Sequence, residues 1–176
     1  MKFFGKIDLY IDQPPKNGSA ILLDNTAPRF IERLIEKIGG SPLSHAAIIL
    51  YDTKNKPWVY EAYPPKVQKH TWEDYLEVVL PHLNTKSWTK RQDGLEVFAW
   101  QPKAKFSYVQ LLNMKYTADK YLGYKYGLFI NYLKDTKKMH CSEYVGIIYE
   151  SAEIFVTDKN KETPSGIHRK LLESGY

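Results

Sequence analysis

The sequence predicts an α+β protein in which an antiparallel sheet packs against helices. The chain has 176 residues, the length of one ordinary domain, so we treat residues 1–176 as a single domain. Its 43% apolar and 14% aromatic residues can bury a core, which excludes disordered, collagen-like and coiled-coil proteins. Strand-like segments come first and helix-like segments later, which is typical of α+β rather than doubly wound folds.

Five apolar runs have the character of strands: residues 2–11, 20–23, 46–51, 58–63 and 95–100. The polar stretch 52–56 separates the third run from the fourth. A short polar connection between two apolar runs is typical of a turn, so these two runs are predicted to form a buried antiparallel hairpin.

Two helices are indicated between and after these strands. Apolar residues at i, i+3, i+4 and i+7 from Ile31 predict a helix that ends at Gly39. A second helix follows the last strand, because Val109, Leu112 and Tyr116 form a stripe at helical spacing.

The C-terminal part of the chain is predicted to be helical. Residues 126–132 are expected to form a short helical continuation. Another helix begins near Cys141, and three apolar residues share its face at i+3, i+4 and i+7: Tyr144, Val145 and Ile148. A last helix starts at Thr163 and Pro164 and runs through Leu171.

Cys141 is the only cysteine, which excludes an internal disulfide and a multi-cysteine zinc site. In the first turn of a helix, unpaired N–H groups and the helix dipole favour the thiolate, so Cys141 is a candidate nucleophile. The alternative is a small buried apolar residue. Nucleophilic chemistry of this kind needs no metal or organic cofactor, and no metal-ligand spacing is visible, so we expect none.

His45 is the best candidate for a base, because it begins an apolar strand where a titratable side chain must find a partner. Glu61, in the next predicted strand, offers a carboxylate. A loop of three or five residues would put both side chains on one face of the sheet, and a loop of even length would separate them. Glu61 could then hold one imidazole nitrogen and leave the other for Cys141.

The other four histidines are weaker candidates. His140 directly precedes the cysteine, and on a helix its side chain would point about 100° away from the thiol. It is therefore not expected to take the thiol proton. The remaining three lie in polar or turn-like contexts and are expected to be exposed: His70, His82 and His168.

Three short motifs, in this order, resemble a known family. Residues 44–48 (SHAAI), 60–62 (YEA) and 140–144 (HCSEY) are similar to motifs of the circularly permuted NlpC-type papain-like proteins, the YiiX-like group related to lecithin:retinol acyltransferase. Residues 123–129 resemble the segment that precedes the family's cysteine. The resemblance extends from residue 18 to about residue 167 and implies a permuted papain-like fold, with histidine before cysteine.

The resemblance also implies an activity. It implies a cysteine peptidase or amidase with Cys141 as the nucleophile, His45 as the general base and Glu61 as the orienting third member. Cell-wall peptides or acylated amino acids are the expected substrates. One alternative is a lipid acyl hydrolase or acyltransferase, for which the aromatic-rich residues 88–129 would line an apolar pocket. Another is a non-catalytic binding module with a basic, aromatic surface.

The net charge of +5 is concentrated in residues 100–140, which contain eight lysines and two aspartates. Tyrosines alternate with these lysines, so the segment suits an anionic polymer or a membrane surface as well as an ordinary solvated face. No nucleic-acid-binding motif accompanies it, and we expect no nucleic-acid partner. The N-terminal sequence lacks the apolar run of an export signal, which predicts a soluble chain. We assign no cellular compartment from the sequence.

Overall fold

The structure is a computed structural model that describes residues 14–25, 43–79, 95–127, 138–158 and 162–175. The strands are β1 (Ala20–Asn25), β2 (Leu43–Tyr51), β3 (Pro57–Tyr63), β4 (Lys66–Thr71), β5 (Leu95–Trp100), β6 (Lys125–Tyr126) and β7 (Lys138–Met139). The helices are α1 (Trp72–Asp74), extended by a π-helical turn over Tyr75–Val79, α2 (Tyr108–Lys120), α3 (Cys141–Ser151) and α4 (Pro164–Glu173). The strand predicted at residues 2–11 and the helix predicted from Ile31 lie outside the described residues.

All seven described strands belong to one sheet, in the order β5-β1-β2-β3-β4-β6-β7. Neighbouring strands are antiparallel except for β6 and β7, which are parallel. Helices α2, α3 and α4 all contact β2, the third strand in the order, and α3 also packs on β3. The predicted α+β class, with a mainly antiparallel sheet packed against helices, is confirmed.

Strand β2 is buried on both faces. Ile48 belongs to the apolar cluster that contains Tyr144 and Ile148 of α3. The next residue, Ile49, belongs to a second cluster that contains Tyr75 on the opposite face of the sheet. Because side chains alternate along a strand, a strand covered on both faces needs apolar residues at nearly every position, which explains the continuous apolar run in β2.

The predicted hairpin of β2 and β3 is confirmed, and residues 52–56 form its five-residue loop. Asp52 organises this loop. Its Oδ1 atom accepts hydrogen bonds from the backbone N–H groups of Lys54 and Lys56, both at 2.9 Å. Its Oδ2 atom accepts one from the indole N–H of Trp58 at 3.2 Å. The loop therefore has a defined conformation, which fixes the pairing of the two strands.

Helix α2 is present as predicted, and it begins with a capping box. The Ser107 hydroxyl accepts from the Gln110 N–H, and the Gln110 side chain accepts from the Ser107 N–H. Its fully buried residues are Met114 and Ala118, on the side that faces the rest of the protein. The apolar stripe that predicts the helix faces solvent instead, with exposed fractions of 62% for Val109, 52% for Leu112 and 70% for Tyr116.

The helical continuation predicted at residues 126–132 is wrong where the structure describes it, because Tyr126 lies in strand β6. The rest of that segment lies outside the described residues. Gly123 has a φ of 86°, a backbone conformation that glycine adopts easily, and its N–H donates to the Val67 carbonyl. The Tyr126 N–H donates to the Pro65 carbonyl. These bonds draw the chain alongside β4 and prevent a helix.

The two C-terminal helices, α3 and α4, are confirmed. Thr163 caps α4 through its hydroxyl, which accepts from the Gly166 N–H at 3.0 Å, and Pro164 occupies the first turn. No helix in the described ranges is both long and apolar enough to cross a bilayer.

Candidate active site

Cys141 is the first residue of α3 and is only 2% exposed. In this position the N–H groups of Cys141 and Ser142 have no helical carbonyl to donate to, and the helix dipole places partial positive charge around the thiol. Sγ of Cys141 lies 3.7 Å from the Ser142 hydroxyl oxygen. The helix start therefore provides a polar environment that favours the thiolate, inside an otherwise apolar core.

The hairpin brings His45 and Glu61 together. Nε2 of His45 lies 2.9 Å from Oε2 of Glu61. Ala47 pairs directly with Glu61 across β2 and β3, and His45 lies two residues from Ala47, so both side chains share one face of the sheet. The five-residue loop thus has the odd length that this contact requires.

Glu61 is fully buried and is held by three side chains. Besides the contact with His45, Oε1 of Glu61 accepts from Nε2 of Gln68 at 3.2 Å and lies 3.4 Å from Nε2 of His70. Burial alone would raise the pKa of the Glu61 carboxyl, but hydrogen bonds from His45, His70 and Gln68 outweigh it and lower this pKa to about 2. The carboxylate is therefore ionised throughout the physiological range.

His45 links the carboxylate to the thiol. Burial alone would lower the pKa of the imidazole, but hydrogen bonds with the Cys141 and Glu61 side chains outweigh it and raise this pKa to about 10. Burial would also raise the pKa of the Cys141 thiol, yet hydrogen bonds with His140 and His45 lower it well below its ordinary value. Opposite shifts of this kind favour a thiolate paired with an imidazolium.

His140 precedes the thiol and, together with His45, lowers the pKa of Cys141. The sequence-based expectation assumes that His140 lies within the helix, whereas it is the N-cap residue with extended backbone, φ −101° and ψ 169°. Its Nδ1 atom accepts from the backbone N–H of Glu143 at 3.3 Å. In the neutral ring the proton must therefore be on Nε2.

Of the three histidines expected to be exposed, His70 is half-buried and contacts Glu61, so the expectation is wrong for it. In β4, His70 lies two residues from Gln68, which pairs with Glu61, and this alternation is the sequence signal that could have revealed it. The expectation is wrong for His168 too, since it is half-buried in α4, where burial lowers its pKa. His82 lies outside the described residues.

Two tyrosines enclose the pair of His45 and Glu61. The ring of Tyr63 meets the His45 ring edge-on, with centroids 5.7 Å apart. Tyr75 is fully buried, and burial together with the negative charge of Glu61 raises the pKa of its hydroxyl well above the ordinary value. These rings keep solvent away from the ion pair, which strengthens its electrostatic interactions.

A buried thiol at a helix start, beside a histidine that a carboxylate orients, is the arrangement of papain-like cysteine hydrolases. The family model described as permuted papain-like amidase enzyme, YaeF/YiiX, C92 family, matches residues 16–169. The chain therefore belongs to this family, which is a family of cysteine peptidases and amidases.

A solved structure supports the fold. The crystal structure of metalloprotein yiiX from Escherichia coli O157:H7 is similar to this chain with a TM-score of 0.56 and 20% sequence identity. The match covers 78% of this chain and 66% of that protein, slightly less than two thirds of its length. No curated protein is similar enough to the chain to count as a match.

Proposed function

We propose that the protein hydrolyses an amide bond with Cys141 as the nucleophile, His45 as the proton carrier and Glu61 as the residue that orients His45. The observation that carries this proposal is that a buried carboxylate lies 2.9 Å from the His45 imidazole, and this imidazole lowers the pKa of the Cys141 thiol at the start of α3. A nucleophile, a base and an orienting group in this order are the parts that covalent acyl transfer requires.

In the first half of the reaction, the Cys141 thiolate attacks the carbonyl carbon of the amide and a C–S bond forms. When the tetrahedral intermediate collapses, the C–N bond breaks and the His45 imidazolium gives its proton to the leaving amine. The amine leaves, and a thioester to Cys141 remains.

In the second half, His45 takes a proton from water, and the resulting hydroxide attacks the thioester carbonyl. The C–S bond breaks, the acid product leaves, and the Cys141 thiolate and His45 imidazolium form again. Glu61 keeps the imidazole in the orientation that both halves use and offsets its positive charge. The negative charge of Glu61 thus serves the reaction without changing its own protonation.

The backbone N–H of Cys141 is the first donor that we assign to the oxyanion, because it has no helical partner. We assign a different role to His140. Together with His45 it lowers the pKa of the Cys141 thiol, so it stabilises the nucleophile electrostatically and does not take the proton from it. His140 would then help to keep Cys141 ionised near neutral pH.

Peptides and acylated amino acids are the substrates we favour, since the family is described as amidases. Hydrolysis or transfer of lipid acyl groups is the second candidate. Its sequence argument, an apolar pocket lined by the aromatic residues of 88–129, is not supported at α2, where Tyr108 and Tyr116 are exposed to solvent. A different observation supports lipid substrates: the apolar side chains of that helix are exposed to solvent, where they can contact lipid.

The related yiiX structure is described as that of a metalloprotein. In the parts of this chain that the structure describes, no three His, Cys, Asp or Glu side chains form a group that could hold a metal ion. The described residues therefore do not fit such a site, and the proposed reaction uses only the side chains named above.

Thiol reactivity tests the proposed ion pair. Iodoacetamide should alkylate Cys141 rapidly below neutral pH, and His45→Ala should shift this reactivity toward the pH range of an ordinary thiol. His168→Ala is the matched control, since that histidine is remote from the thiol in sequence and lies in α4. Equal reactivity of wild type and the His45 variant would contradict the ion pair.

Turnover tests the reaction itself. Peptidoglycan fragments, acylated amino acids and phospholipids are incubated with the protein, and the products are identified by mass spectrometry. Cleaved amides that disappear with Cys141→Ala, in a variant that keeps its circular dichroism spectrum, support the proposal. Amide hydrolysis that persists in this variant would refute the nucleophile, and cleavage of phospholipids alone would favour the second candidate.

A further inference from the structure

Helix α2 presents an apolar stripe to solvent, which we name the α2 face. Its four residues and their exposed fractions are Tyr108 at 79%, Val109 at 62%, Leu112 at 52% and Tyr116 at 70%. At about 100° per residue they lie within a single arc of roughly 100°. Single exposed apolar residues are common on protein surfaces, but four on one face of a helix form a contiguous patch. Such a patch is typical of a binding surface.

The α2 face belongs to a firmly held helix. On the inward side, the Gln110 side chain donates to the Ala152 carbonyl at 3.2 Å, just beyond the C-terminal end of α3. Near the other end, the Tyr144 hydroxyl donates to the Ala118 carbonyl at 2.8 Å. These two hydrogen bonds show that α2 runs antiparallel to α3. They also fix the helix in place, so its apolar stripe stays exposed to solvent.

Exposed lysines lie close to this stripe in sequence. Four exposed lysines lie in or next to α2: Lys103, Lys105, Lys120 and Lys125. The only carboxylate in residues 101–127 is Asp119, and it is already bonded to Lys69, Lys115 and the Tyr60 hydroxyl. None of the four exposed lysines forms an ion pair with a carboxylate in the described ranges, so their charges are available to an anionic partner.

We propose that the α2 face docks onto the surface of an anionic lipid bilayer. Aliphatic side chains can enter the acyl boundary, tyrosines favour the interfacial layer, and lysines reach lipid phosphates. An anionic polysaccharide or nucleic acid would satisfy the lysines but would leave Val109 and Leu112 facing a polar ligand. The stripe lies on the outward surface of a single helix, a shape that suits a flat bilayer.

Cosedimentation with vesicles tests this proposal. The full chain should bind vesicles that contain about one third phosphatidylglycerol in phosphatidylcholine, and should bind pure phosphatidylcholine much more weakly. Val109→Gln combined with Leu112→Gln should weaken binding at least about tenfold, because two apolar side chains no longer enter the interface. Lys105→Glu combined with Lys120→Glu should weaken it by a similar factor and remove its salt dependence.

Matched controls lie elsewhere on the surface. Val156 is 76% exposed and Leu172 is 45% exposed, so Val156→Gln combined with Leu172→Gln removes equivalent apolar groups away from α2. Lys54→Glu combined with Arg169→Glu makes the same change in net charge at exposed positions. Both control variants should bind within about twofold of wild type. Cys141→Ala should also bind like wild type, because docking is independent of the thiol chemistry.

Several results would overturn the proposal. They are absence of binding to anionic vesicles, equal loss of binding in the control variants, and equal binding to neutral and anionic lipid. Sedimentation velocity adds one more: a wild-type dimer that Val109→Gln with Leu112→Gln converts to monomer would assign the α2 face to a second copy of the chain.

Discussion

His45 and Glu61 lie 16 residues apart in sequence, yet Nε2 of one is 2.9 Å from Oε2 of the other, and both are buried. The contact depends on the pairing of β2 with β3, which aligns Ala47 with Glu61. The hairpin thus brings the carboxylate to the imidazole, and α3 begins at the thiol. Substitutions at these residues and at their neighbours test this arrangement.

Replacement of Glu61 by glutamine should lower kcat/KM for amide hydrolysis by about 100-fold or more. Glutamine keeps the shape of glutamate but loses the charge, so the His45 imidazolium loses its buried counter-charge. The pH at which iodoacetamide reacts with Cys141 should rise in parallel. Lys66→Gln, at an exposed position of β4, should change neither measurement. Unchanged turnover in the Glu61 variant would remove this residue from the mechanism.

Two substitutions of His140 should separate its contact with the thiol from its role at the helix start. Both His140→Asn and His140→Ala should raise the pH at which the thiol becomes reactive, because both remove the imidazole that lowers the pKa of the thiol. Asparagine can still cap α3, so only His140→Ala should also lower the free energy of unfolding, by about 1 kcal/mol. Urea denaturation and alkylation rates measure the two effects. Unshifted thiol reactivity in both variants would contradict an electrostatic effect of His140 on the thiol.

The stability of the protein should depend on pH through the buried ion pair. The pKa of Glu61 falls from 4.5 to about 2 on folding, so its contribution is complete above pH 4.5 and is lost as pH falls toward 2. The pKa of His45 rises from 6.5 to about 10, so its contribution is complete below pH 6.5 and is lost as pH rises through about 10.

A variant that combines His45→Gln with Glu61→Gln isolates this effect. The difference in free energy of unfolding between wild type and this variant should be greatest above pH 4.5 and should shrink as pH falls toward 2. On the alkaline side, the lowered pKa of the Cys141 thiol offsets the loss of the His45 contribution. Urea denaturation at about pH 3, 5.5 and 9 measures it. A difference that does not change with pH would show that the pair contributes no charge-dependent stability.

Asp52→Ala should destabilise the hairpin. The substitution leaves the N–H groups of Lys54 and Lys56 and the indole N–H of Trp58 without their common acceptor. Water can satisfy the exposed N–H groups, so we expect a loss of about 1–2 kcal/mol rather than unfolding. Lys54→Ala is the control, since its side chain is exposed, and it should have almost no effect. Equal stability of the two variants would mean that Asp52 does not organise the loop.

The β2–β3 hairpin and helix α3 could be predicted because each has a strong local pattern. Strand β2 is a continuous apolar run beside a short polar loop, and α3 repeats apolar residues at helical spacing from Cys141. The contact between His45 and Glu61 could be predicted only conditionally, because it depends on the length of the loop, and the structure supplies the odd length.

Other parts of the site had no comparable signal. Strand β4 (KVQKHT) has only Val67 as an apolar core residue, so its pattern does not identify the strand that brings Gln68 and His70 to Glu61. The role of His140 depends on one backbone conformation at the boundary of α3, and boundaries are the least certain feature of a sequence pattern. The outward direction of the α2 stripe depends on which side of the helix the sheet covers.

The five residues between β2 and β3 restrict how this chain can vary. If one residue were inserted or deleted there and the loop kept its five-residue form, β3 would shift by one position and the carboxylate of Glu61 would turn to the other side of the sheet, away from the imidazole. A change of two residues would preserve the side. A change of one residue can therefore be tolerated only where the loop itself absorbs it and Ala47 stays paired with Glu61.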